Sequence, residues 1–119
     1  PVEVMPIKSL IASPENGQSL EAGPVTIQGV AWAGETSIAK VEVSIDEGKT
    51  WRPTHLVGDD RLYAWRQWRF LWQATVQGTF TILCRATDER GDVQPAASSW
   101  NPSGFLWNGW DRVTVQVHP

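Results

Sequence analysis

General acid–base chemistry needs paired carboxylates in a dry cleft or a histidine held by a partner. The chain offers the adjacent Asp59 and Asp60, the group Asp88, Glu89 and Asp92, and two histidines, His55 and His118. Asp59 and Asp60 follow Gly58 and point apart. Asp88, Glu89 and Asp92 surround Gly91 in a turn, where an aspartate bonds nearby backbone amides. That spacing does not match a calcium loop. No cysteine or histidine stands at metal-ligand spacing from either histidine. Cys84 is the single cysteine, so no internal disulfide forms, and no His–Asn pattern marks it as a nucleophile.

Two sets of residues carry more information. Ser44-Ile45-Asp46-Glu47-Gly48-Lys49-Thr50-Trp51 follows the S-x-D-x-G-x-T-W pattern of Asp-box hairpins. Asp46 can accept bonds from turn amides, Gly48 can take positive φ, and Trp51 can fold back on the strand. Propellers built on this motif carry several copies. One copy reads as a stabilised hairpin.

The other set is the tryptophans, eight in 119 residues. Each buried indole removes about 150–250 Å² from water. Strand parity gives Trp32, Trp51, Trp68 and Trp72 places in a core. Trp65, Trp100, Trp107 and Trp110 do not all fit the same interior, and together they exceed the apolar patch a monomer usually exposes. Tryptophan and arginine are favoured interface anchors, and Arg66, Arg69 and Arg112 lie close by in sequence. A sugar-stacking platform is the alternative use of such rings, with Asn101 and Asn108 as its polar partners.

These residues are positioned by short strands. Val41, Val43 and Ile45 alternate with polar neighbours. So do Trp68, Phe70, Trp72 and Ala74, then Phe80, Ile82, Cys84 and Ala86, then Val113, Val115 and Val117. This is the period-two pattern of half-buried strands. Parity changes between Val25/Ile27 and Val30/Trp32, which predicts a β-bulge at Gly29. Ile7–Ala12, bounded by Pro6 and Pro14, predicts an edge strand. Turn residues separate the runs. About seven such strands predict an all-β, immunoglobulin-like sandwich over residues 1–119, with no repeat of the kind that builds solenoids. Residues 95–110, rich in Pro, Gly, Asn and Trp, form a long non-periodic connection of the sort that carries function.

Composition narrows the partners. Hydrophobic residues are 41%, charged residues 19%, and the net charge is −3. Disorder is excluded, as is nucleic-acid binding by bulk charge. No apolar window is long enough to span a bilayer as a helix. The start at Pro1, without Met or signal peptide, reads as a piece of a longer protein.

In this order, Gly29-Val30-Ala31-Trp32-Ala33-Gly34, Val41-Glu42-Val43-Ser44 through Trp51, Ala64-Trp65-Arg66-Gln67-Trp68, Arg85-Ala86-Thr87-Asp88, Trp100-Asn101-Pro102-Ser103-Gly104 and Asn108-Gly109-Trp110-Asp111-Arg112-Val113 span nearly the whole chain. The sequence resembles the C-terminal dimerisation domain of sulfite oxidase-type molybdenum oxidoreductases. The resemblance implies an immunoglobulin-like (E-set) fold that follows a molybdopterin-binding domain. It places the molybdenum on a cysteine of that preceding domain, so no cofactor or metal is expected here. It implies a homodimer, a parent enzyme oxidising sulfite or a related small substrate in the periplasm, and a cytochrome as electron acceptor. One position departs from the family. Animal sulfite oxidases have an Arg that reaches the substrate pocket where Ser103 stands, and a neutral hydroxyl does not replace a guanidinium. Plant nitrate reductases share the domain, so it does not fix the substrate. The expectation is a non-catalytic module for dimerisation and domain docking. Trp65 and Arg66 are assigned to one surface, and Trp100, Asn101, Ser103, Trp107, Trp110 and Arg112 to contact with the preceding domain.

Overall fold

The computed structural model describes residues 7–34, 36–58, 65–96 and 109–119. Nine strands lie among them: β1 (Lys8–Ser13), β2 (Ser19–Glu21), β3 (Gly23–Trp32), β4 (Ile38–Ser44), β5 (Arg52–Pro53), β6 (His55–Val57), β7 (Trp65–Ala74), β8 (Gly78–Asp88) and β9 (Asp111–His118). They form a four-stranded sheet, β1-β3-β7-β6, and a five-stranded sheet, β2-β9-β8-β4-β5. The predicted all-β sandwich is therefore present, with three very short strands, β2, β5 and β6, beyond the periodic runs.

The core lies between the sheets. Ile27, Ala31, Trp68 and Trp72 face it from the four-stranded sheet, and Val41, Val43, Ile82, Cys84 and Val115 from the five-stranded one. Trp72 meets Phe80 edge to face, with centroids 5.1 Å apart, joining the two layers. The indole of Trp68 donates to the carbonyl of Val30 at 3.1 Å, so the ring is buried with its N–H satisfied.

The bulge expected at Gly29 is not in β3. That strand pairs with β7 in unbroken register from Gly23↔Ala74 to Trp32↔Trp65. Val25, Ile27, Gly29 and Ala31 all face inward, and Val30 and Trp32 lie half-buried on the outer face. The register break is in the neighbouring β1, between Ile11 and Ser13. Gly29 serves a different need: a Cβ there would fall on the Leu10 carbonyl oxygen and 2.8 Å from the Trp68 ring. The glycine marks close approach of backbone and ring.

Trp51 and Trp32, expected inside on parity, are both half-buried on outer faces. Leu83, which alternation with Phe80, Ile82, Cys84 and Ala86 puts on the outer side of β8, is buried because the Ser44–Trp51 hairpin and Trp110 cover that side of the sheet.

Candidate functional site

The Asp-box hairpin forms as its residue types require. Asp46 accepts from the Ser44 hydroxyl at 2.7 Å, the Thr50 amide at 2.9 Å and the Thr50 hydroxyl at 2.7 Å. Ser44 Oγ accepts from the Gly48 amide at 2.7 Å, and Gly48 takes φ 89°. The bonds from Thr50, followed by that from Ser44, lower the Asp46 pKa to about 2 from an ordinary 3.8. A carboxylate depressed in this way stabilises the fold fully above its unfolded pKa and ceases to do so as pH falls through the folded value. The melting-temperature gap between wild type and Asp46→Asn is expected to be constant above about pH 4 and to close near pH 2. A gap unchanged down to pH 2 would show that the hairpin does not depend on the ionised carboxylate.

Trp51 folds back from this hairpin onto Trp110, with centroids 4.8 Å apart at 71°. The Arg85 guanidinium lies 4.0 Å from the Trp51 centroid and is anchored by Glu42 at 3.1 Å. Trp110, assigned to docking, thus spends one face within the chain. Its neighbour Arg112 is exposed, with only a 4.0 Å approach to Glu47.

Both stems of the 95–110 segment meet at Gln94, which is 1% exposed. Its side-chain oxygen accepts from Ser9 Oγ at 2.7 Å and from the Ala86 amide at 3.1 Å. Its side-chain nitrogen donates to the Gly109 carbonyl at 2.8 Å, and its own carbonyl accepts from the Trp110 indole at 2.8 Å. Departing and returning chain are therefore cross-bonded through one residue. Sequence reasoning missed this hub, because a glutamine between Val93 and Pro95 has no distinguishing pattern. Ser9 did carry a signal, being a polar residue at the parity of Ile7 and Ile11 in an inward-facing run.

Cys84 sits beside this hub, 3.2 Å from Ser9 Oγ. Burial pushes its thiol up to about 12. Among the described residues, no three His, Cys, Asp or Glu side chains converge on a point. Asp88 accepts from the amides of Arg90 and Asp92, each at 2.9 Å, so its carboxylate organises a turn as its spacing indicated.

The two residues assigned to the other surface separate. Trp65 opens β7 on the outer face of the four-stranded sheet and is 56% exposed. Arg66 points the opposite way, is 9% exposed, and donates to the Gly58 carbonyl at 3.0 Å. Placing Arg66 on the surface with Trp65 is corrected: it shares the inward parity of Trp68, Phe70 and Trp72 and serves the interior end of the sandwich. Leu71, on the same outward parity as Trp65, is 58% exposed, and Val76, just past the strand, is 66% exposed. Trp100, Asn101, Ser103, Trp107, Asn108, Asp59 and Asp60 lie outside the described residues.

The family model described as Mo-co oxidoreductase dimerisation domain matches residues 1–118. The chain is 40% identical over 126 residues to the mitochondrial sulfite oxidase of Mus musculus, covering 99% of this chain and 23% of that protein. It is 30% identical to the NADPH nitrate reductase of Aspergillus niger, covering 92% of this chain and 16% of that protein. The chain thus spans less than a quarter of the length of these relatives. Among solved structures, it is similar to the sulfane dehydrogenase SoxCD of Paracoccus pantotrophus, with TM-score 0.70 and 28% identity over 91% of this chain and 29% of that one. A fibronectin(III)-like module of Clostridium thermocellum CbhA, at TM-score 0.55 and 18% identity over 93% of each chain, shares the fold alone.

Proposed function

Because this chain belongs to the Mo-co oxidoreductase dimerisation domain family, we propose that it joins two copies of a molybdenum oxidoreductase through the outward surface of β7. One observation carries the assignment of surface. Four large apolar side chains are exposed among the described residues, and three of them, Trp65, Leu71 and Val76, lie along β7 or just beyond it. A symmetric pair uses the same surface twice, so exposed apolar groups toward both ends of one outward strand face suit a self-interface. The comparisons favour this reading over sugar binding. The Trp51–Trp110 pair, at 71°, is also no flat stacking platform.

The second surface is the one framed by Gln94, Trp110 and Arg112, which we assign, with Trp100, Asn101, Ser103 and Trp107, to docking against a preceding molybdopterin-binding domain. When bound there, the molybdenum cofactor supplies the oxidation chemistry. The residues of this chain bind and orient that domain. The parent's substrate is sulfite or a related small substrate, and a cytochrome is the acceptor we propose. Ser103 in place of an arginine, together with the nitrate reductase relative, leaves substrate choice to the other domain. The compartment we propose is the periplasm, although relatives named mitochondrial belong to the same family.

Trp65→Ala tests the self-association surface. An anchor ring at an interface centre contributes about 2 kcal/mol or more, so the dimer dissociation constant should rise at least about thirtyfold. The melting temperature of the separated chain should barely move, since the ring is exposed there. Sedimentation and thermal melting check both. A large fall in melting temperature with unchanged association would contradict the assignment.

A further inference from the structure

Asparagine followed by glycine is the pair most prone to lose its side-chain amide, because glycine leaves its backbone nitrogen unshielded beside the asparagine side chain. Asn16-Gly17 is such a pair. Both residues are exposed, in a turn closed by the Gln18 amide donating to the Glu15 carbonyl at 3.1 Å. Gly17 takes φ 84° there, and a Cβ would meet open space.

The folded chain occupies both of the groups that would react. The Asn16 side-chain oxygen accepts from the Thr114 amide at 2.8 Å. The Gly17 amide donates to the Thr114 carbonyl at 2.7 Å. Thr114 is thus paired as if with a strand, half of it supplied by a side chain. The ladder then continues along β9. The Gln116 amide donates to the Gln18 carbonyl at 3.1 Å, and Ser19–Glu21 pair in parallel with Gln116–His118. This β2 segment has three residues at the rim of its sheet, and of the three only Leu20 is half-buried against the core. So short a strand, with one apolar anchor, opens more readily than the long strands beside it.

We propose that Asn16 is a modification site whose deamidation is gated by detachment of β2 from β9. While the turn is seated, the Gly17 N–H is committed to the Thr114 carbonyl and the Asn16 side chain is held by the Thr114 amide. Opening frees both. The Gly17 nitrogen then bonds to the Asn16 side-chain carbon, and its proton leaves with the side-chain nitrogen as ammonia. Water opens the resulting cyclic imide at either carbonyl. Opening at the side-chain carbonyl gives aspartate, which keeps an oxygen for the Thr114 amide. Opening at the main-chain carbonyl gives isoaspartate, which routes the backbone through an extra methylene and turns the former carbonyl into a free carboxylate. That product does not restore the register of Ser19–Glu21 on Gln116–His118. Local opening is thereby converted into permanent loss of β2.

Incubating the intact protein at mildly alkaline pH, with mass spectrometry of the peptide holding Asn16, tests this. That peptide is followed apart from the one holding Asn108-Gly109, which repeats the dipeptide. Asn16 should deamidate at least about tenfold more slowly in folded protein than in the same protein unfolded in urea. Leu20→Ala loosens β2 while leaving Asn16, Gly17 and Thr114 in place, and should raise the folded rate at least about fivefold. The isoaspartate product should show fast amide exchange over Ser19–Glu21, whereas Asn16→Asp keeps wild-type protection there. Asn16 that stays intact in urea would overturn the site. Equal rates in folded and unfolded protein would overturn the gating. So would a wild-type rate in Leu20→Ala whose Ser19–Glu21 amides exchange faster. An isoaspartate product with β2 still protected would overturn the permanent loss.

Discussion

Gln94→Leu is expected to destabilise the fold by about 4 kcal/mol, a large share of the roughly 5–15 kcal/mol that holds a domain together. Leucine fills much of the volume but makes none of the bonds. Ser9 Oγ, the Ala86 amide and the Gly109 carbonyl would each lose a buried partner lying 2.7 to 3.1 Å away. An unsatisfied buried polar group costs about 1–3 kcal/mol, and Ser9 keeps partial compensation from Cys84 Sγ at 3.2 Å. Denaturant unfolding measures the total. Gln94→Glu distinguishes charge from shape. It retains an acceptor for Ser9 and Ala86 but brings a carboxyl oxygen against the Gly109 carbonyl, so it should fall between wild type and the leucine variant. A leucine variant as stable as wild type would mean that the stems of the 95–110 segment are held by other contacts.

Gly29→Ala should cost about 3 kcal/mol or more, well above the usual effect of adding one methyl. The added carbon would meet the Leu10 carbonyl on one side and the Trp68 ring at 2.8 Å on the other. Backbone cannot step aside without breaking the β1–β3 ladder, and the Trp68 ring is fixed by its bond to the Val30 carbonyl. Loss should appear first in β1, as faster amide exchange from Ser9 to Ile11. Thr26→Ala, on the outer face of the same strand, is the control and should shift stability by well under 1 kcal/mol. Equal stability of wild type and Gly29→Ala would show that β1 does not pack as closely as described.

The sandwich was legible because its longer strands each bury one face, and period two survives in the sequence wherever that is so. Val41/Val43, Trp68/Phe70/Trp72 and Val113/Val115/Val117 all take their predicted sides. Parity failed where the outer face is also covered. Val30 and Trp32 look like inward residues because they make that end of the outer face of β3 apolar, and this produced the misplaced bulge. Leu83 and Trp51 belong to a second, smaller cluster outside the five-stranded sheet, which periodicity within one strand does not reveal. The Asp-box hairpin was fully legible, since its bonds are local. Gln94 was not, because its partners are Ser9, Ala86 and Gly109, distant in sequence and brought together only by the fold. Arg66 could have been placed inward by the same parity that placed Trp68. Its charge pointed to the surface, whereas inside one of its guanidinium nitrogens donates to the Gly58 carbonyl.

The central proposition is that the outward surface of β7 meets another copy of the chain. Oxidative labelling of tryptophans, read by mass spectrometry across a concentration series of the intact protein, tests it directly. Trp65 should be labelled in dilute solution and protected on association, while the half-buried Trp51 and Trp110 show no concentration dependence. Trp65 labelled to the same extent at every concentration, in a protein whose mass doubles over that range, would place the interface elsewhere.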